Sequence, residues 1–192
     1  MTIGVVAIQG DYDKHRQVLN KLHTDAVFVK DPKQLNTCDA LIIPGGESTT
    51  LIKLFKANHL FEAIKEFATQ KPVMGTCAGL ILLAKKVYNP EQESLQLIDI
   101  EVNRNAYGRQ IDSFINNVNL SMNSRKDPFE GVFIRAPKIT RTGQGVKQLG
   151  FLNTEVVLAE NSHILVATFH PELTDDSRIH EYFIHKSKIL NK

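Results

Sequence analysis

With 192 residues, 42% hydrophobic and 23% charged, the chain has the make-up of a globular domain with room for a substantial core. A formal net charge of +2, with the basic residues scattered, excludes a strong pull towards nucleic acid or a membrane surface. Two cysteines argue against a disulfide framework and for a reducing cytoplasm, and no run approaches the roughly 18 apolar residues of a membrane span. No repeat, low-complexity tract or linker divides the sequence, so residues 1–192 are expected to form a single domain.

Short apolar strands alternate with helical patterns in the first half. Ile3 to Ile8 is a continuous apolar run, as expected for a strand covered on both faces, and it reads as a first strand and not as a signal peptide. Asp13 to Leu22 has helical spacing, with Val18, Leu19 and Leu22 on one face. Ala26 to Val29 and Ala40 to Ile43 are further strands. Ser48 is a suitable N-cap for a helix from Thr49 to Ala57, and Leu60 to Thr69 makes another. Val73 to Thr76 is a strand, and a helix-forming run follows from Ala78 to Lys86. This βαβα order implies an α/β fold, a parallel sheet with helices on both sides. The second half reads as a mixed, more antiparallel extension: Leu95 to Val102, Asn116 to Leu120, Gly131 to Ile134, Val156 to Ala159 and Ile164 to Phe169. Arg178 to Asn191 closes the chain as a helix, with Ile179, Phe183 and Ile184 inward.

The chemistry is concentrated at strand ends. In Gly75-Thr76-Cys77-Ala78-Gly79 a cysteine sits where a strand becomes a helix, flanked by glycines at the crowded bend. This is the pattern of a nucleophile elbow, and a helix N-terminus favours the thiolate that attacks. Cys38 lacks any such setting and reads as a small buried hydrophobe. In His170-Pro171-Glu172 the acid lies two residues from the histidine, so in an extended segment both face one side. Glu172 can then orient His170, and His170 can deprotonate Cys77. The other six histidines (His15, His23, His59, His163, His180 and His185) read as surface residues. Pro44-Gly45-Gly46-Glu47-Ser48 lets backbone N–H groups approach a ligand; one of them, with the N–H of Ala78, can form an oxyanion hole. The same residues would also make a capped turn. Arg104, Arg109 and Arg135 follow strands, where each is either a partner for a substrate carboxylate or simply solvated. In open α/β sheets ligands bind at the carboxyl ends of strands, where Gln9-Gly10, Gly45-Gly46, Cys77 and His170 all fall.

The elbow together with His170-Pro171-Glu172 resembles the class I triad glutamine amidotransferases, which have a flavodoxin-like fold. Gly45-Gly46-Glu47-Ser48-Thr49-Thr50, Arg104-Asn105-Ala106-Tyr107-Gly108-Arg109-Gln110, Phe133-Ile134-Arg135-Ala136-Pro137 and Glu172-Leu173 narrow the resemblance to the glutaminase subunits of pyridoxal 5′-phosphate synthase. That resemblance implies catalysis by Cys77, His170 and Glu172, with L-glutamine bound by Gly46, Glu47, Ser48, Arg104, Ile134 and Arg135. It implies an oxyanion hole from Gly45, Gly46 and Ala78. It also implies a (β/α)₈-barrel synthase partner that combines the released ammonia with ribose 5-phosphate and glyceraldehyde 3-phosphate. No metal or organic cofactor is expected, because the histidines and cysteines lack ligand spacing. The alternatives are the glutaminase of an imidazole glycerol phosphate or anthranilate synthase, a cysteine hydrolase of the same fold, and a non-catalytic binding subunit.

Overall fold

A computed structural model describes residues 1–105, 113–122 and 127–191. Five parallel strands make the first half of a nine-stranded sheet: β1 (Thr2–Val6), β2 (Asp25–Val29), β3 (Ala40–Ile43), β4 (Val73–Thr76) and β12 (Ile164–Ala167). Their order is β2-β1-β3-β4-β12, and the sheet then continues antiparallel. The antiparallel strands, in spatial order, are β11 (Glu155–Glu160), β10 (Lys147–Leu152), β7 (Ser113–Leu120) and β8 (Phe129–Ile134). A second sheet of three strands pairs β5 (Ala84–Tyr88), β6 (Ile98–Asn103) and β9 (Lys138–Thr142). The α/β class and the switch to antiparallel pairing are as the sequence implies; β5, β9, β10 and a short helix α2 (Pro32–Asn36) are additions to it.

Strand periodicity explains why the parallel core reads as continuous apolar runs. Along β3, Leu41 and Ile43 face one core while Ala40 and Ile42 face the other. The first core is closed by α3 (Ser48–Ala57) and α4 (Leu60–Phe67) through Leu51, Phe55, Leu60 and Ile64. The second is closed by α1 (Tyr12–Lys21) and α6 (Arg178–Leu190) through Leu19, Ile179 and Phe183. Each fully buried aliphatic or aromatic side chain contributes roughly 1.5–3 kcal/mol, so neither layer is dispensable.

Two local expectations are corrected. The helix after Cys77, α5, spans only Ala78–Leu83, and Ala84 turns extended at φ −61°, ψ 151° to begin β5. Helix propensity permits continuation through Lys85 and Lys86, but tertiary pairing wins. Leu95 N–H and Leu97 N–H take the carbonyls of Leu82 and Leu83, and Ser94 Oγ donates to Ala84 O at 2.6 Å. Secondly, Ser48 is not the cap of α3. Glu47 is, accepting from Thr49 N at 3.1 Å and Thr50 N at 2.8 Å, while Ser48 lies buried inside the first turn.

Candidate active site

The parallel strand ends deliver the reactive groups. Thr76 of β4 is in register with Ala167 of β12, and Cys77 N–H donates to Ala167 O at 2.9 Å. The nucleophile and the segment bearing the histidine therefore leave adjacent strands side by side. Cys77 sits at φ 49°, ψ −105°, a left-handed conformation that costs a non-glycine residue of order 1–3 kcal/mol. That strain is the elbow. It is locked by contacts a side chain would destroy: a Cβ on Gly79 would lie 2.1 Å from Ile43 O, and one on Gly75 would lie 2.7 Å from Gly79 backbone.

His170 Nδ1 is 2.7 Å from Glu172 Oε1. The pair does not ride on an extended segment, as the spacing implied; Pro171–Leu173 form a 3₁₀ turn, with proline at its first position. The turn brings the acid back under the ring. The Cys77 side chain also acts on the His170 ring, and with Nδ1 taken by Glu172 the nitrogen left for the sulfur is Nε2. Burial opposes a charge on His170, yet Cys77 and Glu172 outweigh it and push its pKa up to about 10. Burial likewise opposes a charge on Glu172, but its neighbouring histidines, His15 and His170, hold it down to about 2. Since burial drives His15 towards the neutral form, the cation that keeps Glu172 ionised is His170. A Cβ on Gly45 would lie 2.4 Å from His170 Cε1 and 3.4 Å from Cys77 Cβ, so glycine there permits the close approach of the loop.

Cys77, only 7% exposed, and His170 open into a cleft of about 250 Å³. Its walls include Gly45, Gly46, Ser48, Ala78 and Ile134, with Glu47, Arg104 and Arg135 among the charged groups. Of the described positions the resemblance implies, all line this cleft except Glu172, which stands behind His170; Gln9 is not among the lining residues, and Arg109 lies outside the described residues. Arg104 Nη2 reaches Glu47 Oε1 at 3.2 Å, and Arg135 is exposed at φ 43°. Burial disfavours the Glu47 carboxylate, but bonds from the Thr49 and Thr50 hydroxyls and N–H groups bring it down to about 2. An anion and a cation thus stand together in the cleft, complementary to a free amino acid. Of the 104–110 run, residues 106–110 lie outside the described residues. Gly10, expected among the strand ends, also lines the cleft, as do Asp11 and Ile81, which no sequence pattern singled out. Among the described residues no group of His, Cys, Asp and Glu is disposed to hold a metal ion.

One expectation about the histidines fails. His15 and His180 are fully buried, not superficial, and stack up behind Glu172. On α1 and α6 each looked like a polar residue of an amphipathic helix; the packing of those helices on the sheet buries them. Their burial has a measurable consequence. His180 is driven down to about 3 by burial, and His15 is lowered for the same reason despite the attraction of Glu172 and Asp11. Below the ordinary value of 6.5 the unfolded chain takes up protons that these rings refuse, so stability falls on acidification. At pH 5 His180 alone costs roughly 2 kcal/mol relative to neutral pH. Glu172 adds nothing until the pH falls below its unfolded value of about 4.5, since its folded value is lower. On the alkaline side His170, raised to about 10, loses its contribution as the pH rises from 6.5. Urea midpoints should therefore drop between pH 7 and pH 5; a level profile would mean that these rings are protonated in the folded state.

Known proteins with this geometry give the class. A solved structure described as "Crystal structure of glutamine amidotransferase" superposes with a TM-score of 0.90 at 39% identity, covering 97% of this chain and 98% of that one. Residues 5–189 match the SNO glutamine amidotransferase family, and the chain belongs to that family. Its relatives include "Pyridoxal 5'-phosphate synthase subunit PdxT" of Thermosipho africanus, 48% identical over 98% of this chain and 100% of that protein. The protein of the same name from Thermococcus kodakarensis is 47% identical over 96% of this chain and 98% of its own length.

Proposed function

We propose that the chain hydrolyses L-glutamine to L-glutamate and ammonia at Cys77 and passes the ammonia to the (β/α)₈-barrel synthase subunit of pyridoxal 5′-phosphate synthase. The observation that carries this reading is the meeting of Cys77, His170 and Glu172 at one cleft whose charged groups suit a free amino acid. The names of relatives at 47–50% identity supply the partner.

Glutamine enters with its α-ammonium group against Glu47 and its α-carboxylate against Arg104 and Arg135. Gly46, Ser48 and Ile134 shape the space around it. His170, kept as an imidazolium by Cys77 and Glu172, already holds the cysteine's proton on Nε2, and Cys77 Sγ attacks the side-chain amide carbon as its thiolate partner. The amide oxygen becomes an oxyanion held by the N–H of Ala78 and the Gly45-Gly46 loop. His170 gives its proton to the departing nitrogen, ammonia leaves, and a γ-glutamyl thioester remains. Water, deprotonated by the same ring, then attacks the thioester; glutamate departs and the thiol is restored. Glu172 keeps the Nδ1–H tautomer throughout and stabilises the imidazolium.

The released ammonia joins ribose 5-phosphate and glyceraldehyde 3-phosphate on the synthase. The cytoplasm suits this role, where Cys38 and Cys77 stay free thiols and no described helix is long and apolar enough to cross a membrane. The test uses amide-labelled glutamine with and without the barrel subunit. Glutamate release should rise when the synthase is added, and the label should enter pyridoxal 5′-phosphate. No glutamate under either condition would overturn the hydrolytic reading; glutamate without transfer of label would overturn the partner.

A further inference from the structure

Behind the triad lies a series of groups for which the reaction above has no use. His15 from α1 and His180 from α6 are fully buried, and His15 Nδ1 is 2.9 Å from His180 Nε2. His15 Nε2 faces Glu172 Oε2 at 3.4 Å and Thr76 Oγ1, beside the nucleophile, at 3.3 Å. The other carboxylate oxygen, Oε1, is the one bound to His170. Glu172 Oε2 is buried and has no hydrogen-bond partner among the described residues, and the His15 ring faces it with Nε2 at 3.4 Å. Burying two imidazoles costs far more than burying two leucines, and a position needed only to fill space gains nothing from the nitrogen atoms.

The protonation pattern follows from the chemistry of each group. Glu172 is ionised, so Oε2 only accepts, and His15 can satisfy it only with a proton on Nε2, a proton that Thr76 Oγ1 at 3.3 Å can also share. Burial keeps His15 neutral, which makes its Nδ1 an acceptor. His180, also neutral, must then donate through Nε2. Each ring has one tautomer, and the donors run in one direction, from α6 through α1 to the acid.

Resting on the glutaminase reading above, we infer that His15, itself oriented by His180, is a positioning residue that fixes the rotation of the Glu172 carboxylate. A fixed carboxylate fixes the tautomer of His170 and the aim of its Nε2 at Cys77. Neither His15 nor His180 lines the glutamine cleft, so the effect belongs to turnover and not to binding.

The test is glutamate release by the full chain together with the barrel synthase, comparing His15→Leu, His15→Gln and His180→Leu. Glutamine keeps an N–H for Glu172 where leucine does not. His15→Leu should lower kcat about 10- to 100-fold, as misalignment of a reacting group does, with KM for glutamine unchanged. His15→Gln should recover most of that loss, and His180→Leu should lose less than His15→Leu. A folded His15→Leu protein with wild-type kcat overturns the inference, as does an equal loss in the glutamine variant. Should His15→Leu fail to fold, His180→Leu carries the test alone: reduced kcat at constant KM supports the role, and wild-type kcat overturns it. Failure of the underlying reading looks different, since glutamate release would then survive Cys77→Ala.

Discussion

Cys77→Ala is expected to abolish glutamate release, a loss of at least about 10⁴-fold, because removing the nucleophile leaves only binding and oxyanion stabilisation. The fold should persist. The sulfur makes one weak hydrogen bond, to Ile134 O at 3.8 Å, besides its electrostatic pull on the His170 ring, and the backbone corner is held by Ala167, Gly75 and Gly79. A companion variant separates chemistry from strain. Cys77→Gly should be equally inactive yet more stable than Cys77→Ala, since glycine adopts φ 49°, ψ −105° without the penalty of about 1–3 kcal/mol. Glutamate assays and denaturant midpoints on the two proteins check both statements. Residual activity near wild type would remove Cys77 from the mechanism, and a less stable glycine variant would remove the argument from strain.

Glu172→Gln should lower kcat by between about 10²- and 10⁴-fold, less than loss of the thiol, because the base remains and only its orientation and charge support are lost. The amide has one NH₂ to place. Whichever of His170 Nδ1 or His15 Nε2 faces it must change tautomer to accept, and in His170 that change puts the proton on the wrong nitrogen. The charge effect has a definite sign. The carboxylate is one of the groups that raise His170 to about 10, so its removal should bring the imidazole back towards its ordinary value of 6.5. Titration of the His170 ring by nuclear magnetic resonance, beside the rate, reads both consequences. An unshifted titration with an unaltered rate would show that Glu172 has no part in holding the base.

Much of this site was legible because it depends on short-range sterics. A bend at Cys77 needs small neighbours, and Gly75 and Gly79 meet the backbone at 2.7 and 2.1 Å once a Cβ is placed on them. The Gly45-Gly46 loop admits His170 on the same principle. Strands buried on both faces announce themselves as unbroken apolar runs, as in β3 and β12. Ser48 reads as the cap of α3 because serine is a preferred capping residue, whereas the backbone leaves Glu47 outside the helix and takes Ser48 into its first turn. The early end of α5 was hidden for a related reason: its continuation is helix-competent, and a strand partner remote in sequence claims it.

The order of residues by itself determined the reactive corner, the acid beside its histidine and the alternation that builds a parallel sheet, since each follows from bond geometry and side-chain size within a few positions. Tertiary structure alone decided that His15 and His180 lie behind Glu172 and that Arg104 meets Glu47 at the cleft. A polar residue on a helix carries no local mark of whether that face will meet solvent or sheet. Its burial, and with it its protonation, is fixed only when distant segments pack.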